Sequence, residues 1–125
     1  MDYLDAEELV FDDLTERDEG GWRWRNAGRV ESLAPLDIEQ LTGDIRIDVK
    51  AGTWYNLVVR VGKTKIPTHW VKVDDGLDGP IFRWATRDEL LAKEPVWIKD
   101  PKTGEDHLCH RIPQGELHPW EEFPA

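Results

Sequence analysis

The sequence predicts an α+β domain built mainly of antiparallel strands, as a small, strongly bent sheet or a partly open barrel. Several segments alternate strictly between apolar and polar residues, which is the period of a strand. Clusters of Gly, Pro and Asp interrupt the chain about every eight to twelve residues, as turns between short strands do. No long helical segment is available as the crossover that a parallel pair needs. We expect about six to eight short strands, two short helices and an acidic N-terminal helix or arm.

The composition indicates one body with its own core. The chain has 125 residues, of which 39% are hydrophobic, and this length supports a core without metals or disulfides. Cys109 is the only cysteine, so no internal disulfide can form. No apolar run approaches the roughly 20 residues that span a bilayer, and the acidic start of the chain lacks the features of a signal peptide. We therefore expect a cytoplasmic protein that makes no membrane contact.

Residues 1–21 form an acidic arm that differs in charge from the rest of the chain. They hold nine acids and one base, a net of −8, so residues 22–125 carry only −2 of the formal charge of −10. Leu4, Leu9, Val10, Phe11 and Leu14 are spaced roughly as one face of a helix. Two interpretations follow: a helix that docks on the body through its apolar stripe, or an arm that engages a basic partner through its carboxylates. Plain disorder of the arm is the remaining alternative.

The body begins with a predicted hairpin. Residues 22–25 alternate Trp and Arg, which places the two indoles on one side of a strand and the two guanidiniums on the other. Residues 29–33 are the predicted partner strand. Residues 35–41 start at a proline and precede a glycine, which predicts one or two helical turns.

Three consecutive strands are predicted next, as an antiparallel meander. Residues 44–50 alternate apolar and charged side chains without exception. Residues 53–61 are rich in β-branched and aromatic types, which favours a central position in the sheet. Residues 65–73 complete the meander.

The second half of the body is predicted as strands, one short helix and a terminal strap. In order, these are a loop at 74–79, a strand at 80–84, a helix that a capping box opens at 86–89, a hairpin of 96–99 with 105–112, and an irregular strap at 113–125. Trp120 and Phe123 are the expected anchors of the strap. The chain thus divides into the arm, 1–21, and one β-rich domain, 22–125.

The histidine and cysteine residues near the C-terminus are the candidates for metal chemistry. A strand would place His107 and Cys109 on the same side, and His118 could add a third ligand. Their spacing matches no standard zinc pattern. We therefore expect no metal and no cofactor, and keep this set only as an alternative.

A small-ligand groove is a second alternative. Trp70 and Trp84 could stack on a nucleotide-like ligand, while Arg23, Arg25 and Arg83 could contact its phosphate. Direct binding of nucleic acid is not expected, because a chain with a pI of about 4.8 repels polyanions.

The sequence contains no hydrolase or nucleotide-binding signature, so it predicts no enzyme. It favours a non-catalytic binding or inhibitor protein whose acidic arm occupies a basic, nucleic-acid-handling protein partner, for example a mobile-element or phage anti-defence protein. The expected partner-binding residues are Asp5, Glu7, Glu8, Asp12, Asp13 and Glu16. A structural subunit of a phage-type assembly and a homo-oligomer stay open.

Overall fold

The described part of the chain folds into two β-sheets and two α-helices. A computed structural model of the chain describes residues 2–25, 36–51 and 55–125. The helices are α1 (Tyr3–Arg17) and α2 (Arg87–Leu91). The strands are β1 (Trp22–Trp24), β2 (Ile38–Gln40), β3 (Arg46–Ala51), β4 (Leu57–Arg60), β5 (His69–Gly76), β6 (Gly79–Thr86), β7 (Val96–Lys99), β8 (Asp106–Ile112) and β9 (His118–Pro119).

The described strands form one sheet of six and one of three. The larger sheet has the order β1-β2-β3-β5-β6-β9, and the smaller has the order β4-β8-β7. The pairings are antiparallel apart from β3 with β5, which is parallel. The predicted α+β class with mainly antiparallel strands is confirmed, as two separate sheets and not as a closed barrel.

Two apolar cores hold these layers together. The first lies between α1 and the larger sheet, and it includes Val10, Leu14, Ile47, Val71 and Trp84. The second includes Leu57, Val59, Trp70, Leu90 and Ile112 and joins the two sheets. Because successive side chains of a strand point to opposite faces, β5 supplies Trp70 to one core and Val71 to the other.

Helix α1 is docked on the larger sheet through part of its predicted apolar stripe. Asp2 caps its first turn by accepting the backbone N–H of Asp5 at 2.9 Å. Ala6, Val10 and Leu14 are fully buried, and each large apolar side chain so buried stabilises the fold by about 1.5–3 kcal/mol. The arm is therefore a helix packed on the body, as the first of the two interpretations expects.

The predicted helical turns at 35–41 are wrong where the structure describes them. Ile38–Gln40 is the strand β2, which pairs with β1 on one side and β3 on the other. Ile38 is fully buried, and a helix of one or two turns has little stability of its own to set against that burial. Residues 29–33, the predicted partner of β1, lie outside the described residues.

The predicted meander is also wrong. Strand β3 pairs in parallel with β5, and β4, predicted as a central strand, lies at one edge of the smaller sheet. The chain between β3 and β5 crosses to the smaller sheet and returns, so a strand replaces the usual crossover helix. This path buries Leu57 and Val59 together with Trp70 in the second core.

Other predicted elements agree with the structure. The strand at 44–50 is β3, the capping box at Thr86 and Glu89 opens α2, and the C-terminal hairpin is β7 with β8. The loop at 74–79 is shorter than predicted, since β5 runs to Gly76 and β6 starts at Gly79. Gly79 has a φ of 121°, a backbone conformation that favours glycine in this tight turn.

The C-terminal strap is anchored as predicted. It contains two short 3-10 helices, Gln114–Glu116 and Trp120–Glu122, around the two-residue strand β9. Phe123 is buried in the first core, and its ring stacks on Trp120 with centroids 4.7 Å apart.

Candidate functional site

The outer side of α1 presents a row of exposed carboxylates. Asp5, Glu8, Asp12 and Glu16 follow one another at spacings of three, four and four residues, and all four are exposed. These spacings place them along one side of the helix, about 5–6 Å apart in axial rise. We call these four residues the acidic row.

The other two predicted partner-binding acids have internal roles. Glu7 is only 1% exposed, and its Oε1 accepts the indole N–H of Trp24 at 3.1 Å. Glu7 therefore lies on the inner side of the helix, away from the acidic row, and its predicted contact with a partner stays a prediction. Asp13 accepts the indole N–H of Trp120 at 2.5 Å and lies 3.2 Å from Arg17.

The C-terminal strap extends the acidic surface beyond the end of α1. Arg17 donates to the carbonyl oxygen of Ala125 at 3.0 Å and lies over the ring of Trp120, 4.7 Å from its centroid. These contacts hold the strap against the last turn of α1, where Glu121 and Glu122 are exposed. Arg17, the only base of the arm, is thus already bound to groups within the protein.

The predicted phosphate-binding arginines form an internal ion-pair network. Arg23, Glu39 and Arg46 lie in register across β1, β2 and β3. Glu39 is 3.3 Å from Arg23, 3.1 Å from Arg25 and 3.8 Å from Arg46. The carboxylate already occupies the position that a phosphate would take between these guanidiniums.

The predicted Trp- and Arg-lined groove is not assembled. Trp70 is fully buried in the second core, whereas Trp84 lies in the first core and donates its indole N–H to the carbonyl of Pro119 at 2.9 Å. Trp84 pairs with Val71, the residue after Trp70, so the two tryptophans lie on opposite faces of the larger sheet. Arg83 pairs with Asp74 at 3.2 Å. These residues therefore share no surface on which a ligand could stack.

The alternative metal ligands are also apart in the fold. His118 lies on β9 and contacts Glu89 with its Nε2, 2.6 Å from Oε2, whereas His107 and Cys109 lie on β8 in the other sheet. Within the described ranges, no group of three or more His, Cys, Asp or Glu residues is arranged to hold a metal ion. Burial raises the pKa of the Cys109 thiol although Arg60 opposes it, which disfavours a reactive thiolate.

Sequence reasoning missed a group of carboxyls on the inner side of α1. Glu7, Asp37 and Asp48 meet beside Lys50 around a cavity of about 310 Å³. We call Glu7, Asp37 and Asp48 the carboxyl cluster. Asp37 was hidden in the predicted helical turns, and Asp48 resembled an ordinary member of the polar face of β3. No local signal connected either residue with Glu7.

The fold and the surface together define a two-sheet α+β domain with a docked acidic helix. The chain matches no known protein family, no curated protein and no solved structure in comparisons with each. No helix in the described part of the chain is long and apolar enough to cross a membrane.

Proposed function

We propose that this chain is a non-catalytic binding protein that uses the acidic row of α1 to occupy a basic surface on a protein that handles nucleic acid. The observation that carries the proposal is the docking of α1 through Ala6, Val10 and Leu14, which holds the acidic row outward on a packed scaffold. Because the helix backbone is already ordered, only the side chains of the row have to lose conformational freedom on binding. The row can therefore act as a preformed electrostatic surface.

The dimensions of the acidic row favour a narrow basic strip as its target. Duplex DNA carries about one charge per 1.7 Å of its axis, whereas the acidic row has one carboxylate per about 5–6 Å of helix. The row is thus too sparse to imitate a whole duplex, but it can pair with a few Lys or Arg side chains that line a nucleic-acid site. Such a protein inhibits by competition, and an anti-defence protein of a mobile element is the concrete form that we propose.

The test compares the native chain with a variant whose acidic row is neutral. Asp5→Asn, Glu8→Gln, Asp12→Asn and Glu16→Gln are combined in one chain, and both proteins are used to capture partners from a lysate of the native host. The matched control combines Asp44→Asn, Asp78→Asn, Glu94→Gln and Asp106→Asn, which removes four exposed charges outside the arm. Captured proteins are then challenged with duplex DNA and with RNA.

We expect a basic protein to bind the native chain and the control, and to be displaced by nucleic acid. Each exposed ion pair contributes about 0.2–1 kcal/mol, so loss of the four carboxylates should weaken binding by about fourfold to several hundredfold. Binding should also weaken steeply with salt, because exposed charges are screened within about 8–10 Å. Equal binding by the row variant, insensitivity to salt, or a partner that nucleic acid does not displace contradicts the proposal.

A further inference from the structure

Strand β7 forms one edge of the smaller sheet. Among the described strands it has a neighbour on one side only, β8. The backbone N–H of Asp100 donates to the carbonyl oxygen of Glu105 at 2.7 Å, so Asp100 directs its backbone groups towards β8. Hydrogen-bonded positions alternate along an antiparallel pair, so Ile98 does the same, whereas the backbone groups of Trp97 and Lys99 point away from β8. These groups form a row with which a further strand can pair.

The side chains at this edge continue an apolar surface. Trp97 is 70% exposed, and it lies directly opposite Leu108 of β8, which is 36% exposed. Residues directly opposite each other lie on the same face of a sheet. Ile112, four residues after Leu108 on β8, faces the second core. Trp97 and Leu108 therefore extend the apolar face of the smaller sheet beyond the part that the second core covers.

The charges around β7 are complementary from one end of the strand to the other. Glu94 precedes the strand, whereas Lys99 and Lys102 lie at its end, and all three are exposed. Within the described ranges, none of these three side chains forms an ion pair. Residues 93–102 hold three bases and two acids, a net of +1 in a chain of −10. Two antiparallel copies of this segment therefore bring a carboxylate near ammonium groups at both ends.

From this edge we propose that β7 pairs antiparallel with β7 of a second copy of this chain, about a two-fold axis at Ile98. In this register Trp97 of each copy lies opposite Lys99 of the other, and the two residues exchange both backbone hydrogen bonds. The indole and the ammonium then lie on the same face, which allows a cation–π contact. Glu94 of each copy lies opposite Lys102 of the other.

Symmetry and charge favour this register over its neighbours. Opposite residues share a face, so a two-fold axis normal to the sheet places one residue opposite its own copy. An axis at Trp97 brings Glu94 opposite Asp100 of the second copy, and an axis at Lys99 brings two ammonium groups together. Like charges directly opposite each other destabilise a sheet. An axis at Ile98 avoids both contacts.

The dimer leaves α1 of each copy uncovered. Helix α1 packs in the first core with Val71 of β5, and the smaller sheet packs in the second core with Trp70 of β5. Neighbouring residues of a strand point to opposite faces, so α1 and the smaller sheet lie on opposite sides of the larger sheet. The inference goes beyond the proposed function, because pairing of β7 needs neither the acidic row nor its partner.

The molar mass of the full chain in solution tests the pairing. Sedimentation equilibrium is measured from about 1 µM to about 1 mM chain. We expect the mass to rise from 14.5 kDa towards twice that value with concentration. Trp97→Lys sets an ammonium opposite Lys99 of each copy, so it should weaken the dimer by about fourfold or more. Leu77→Lys, at a fully exposed position in the turn between β5 and β6, is the matched control and should dimerise as the native chain does.

Cysteine cross-linking tests the register in a Cys109→Ala background. Ile98→Cys should form a disulfide-linked dimer on oxidation, because the axis brings the two Cα atoms to about 4.5–5.5 Å. Val96→Cys is the matched control, since Val96 is half-buried like Ile98 and lies on the same face. Its copy lies about 13 Å away along the strand, so this variant should stay unlinked.

Three results overturn the proposal. A native chain that stays monomeric at about 1 mM leaves the edge to a strand of another protein. A Trp97→Lys variant that dimerises as tightly as the native chain places the contact on another surface. A cross-link through Val96→Cys but not through Ile98→Cys refutes the register. If Trp97→Lys does not fold, the cysteine pair decides: a linked Ile98→Cys dimer supports the pairing, and its absence refutes it. Capture of a partner by the acidic row does not depend on any of these results.

Discussion

The indole N–H of Trp24 donates to Oε1 of Glu7 at 3.1 Å, and this bond joins β1 to the buried side of α1. It shows how the acids of the arm are divided by their position on the helix. Glu7 lies three residues before Val10 and so shares the inward face, while Glu8 is turned to the outside. One helix thus carries a structural carboxylate on one side and the acidic row on the other.

The bond between Glu7 and Trp24 should make a measurable contribution to stability. Glu7→Ala leaves the partly buried indole N–H of Trp24 without this acceptor, so we expect the free energy of unfolding to fall by about 1–3 kcal/mol. Glu7→Gln keeps an amide oxygen that can accept the same proton, and it should lose less. Urea denaturation of both variants measures the difference, and equal losses would argue against a role for the hydrogen bond.

Docking of α1 should depend on its largest fully buried apolar residue. Leu14 is fully buried, so Leu14→Ala should lower the free energy of unfolding by about 2–5 kcal/mol through lost burial and the remaining cavity. Leu41, 53% exposed, offers the control. Leu41→Ala should change stability by less than about 0.5 kcal/mol. A Leu14→Ala variant as stable as this control would mean that α1 contributes little to the fold.

The sequence correctly predicted the elements whose signals lie within a few neighbouring residues. The alternation in β3, the capping box of α2 and the turn between β7 and β8 each lie within a few residues, and all three are present. The apolar stripe of α1 could be predicted in the same way, because Val10 and Leu14 are spaced by about one helical turn. Local periodicity and turn chemistry carry this information without reference to the rest of the chain.

The errors concern contacts between distant parts of the chain. No residue near Ile38 in the sequence indicates that β1 and β3 pair on either side of it. Likewise, no residue near Leu57 indicates that this strand belongs to the smaller sheet and that Leu57 packs with Trp70 of the larger one. Tertiary burial overrode local propensity at both places. The carboxyl cluster was missed for the same reason, since Glu7 and Asp37 are 30 residues apart in the chain. The function of the acidic row stays a prediction.

The ion pair of Lys72 with Asp74 should be sensitive to removal of one partner. Lys72 is 4% exposed, and its ammonium contacts the Asp74 carboxylate. Asp74→Ala leaves this ammonium buried without its carboxylate and also frees Arg83, so we expect a loss of about 3 kcal/mol in unfolding free energy. Asp78→Ala, at the exposed turn of the same hairpin, is the control. If Lys72→Met combined with Asp74→Leu is no more stable than Asp74→Ala, the unpaired charge is not the cause of the loss.

Glu89 should contribute to the acid sensitivity of the fold. Burial disfavours its ionisation, but hydrogen bonds from Thr86 and the contact with His118 outweigh burial and lower the pKa of Glu89 below its ordinary 4.5. A carboxyl whose pKa is lower in the folded state stabilises the fold above its unfolded pKa, and this stabilisation is lost as pH falls through the folded pKa. We therefore expect Glu89→Gln to be less stable than the native chain near neutral pH and to lose less stability below about pH 4.5. Unfolding free energies measured along this pH series test the expectation, with Glu94→Gln as an exposed control. Parallel pH profiles for native and Glu89→Gln proteins would show that ionisation of Glu89 has no part in acid unfolding.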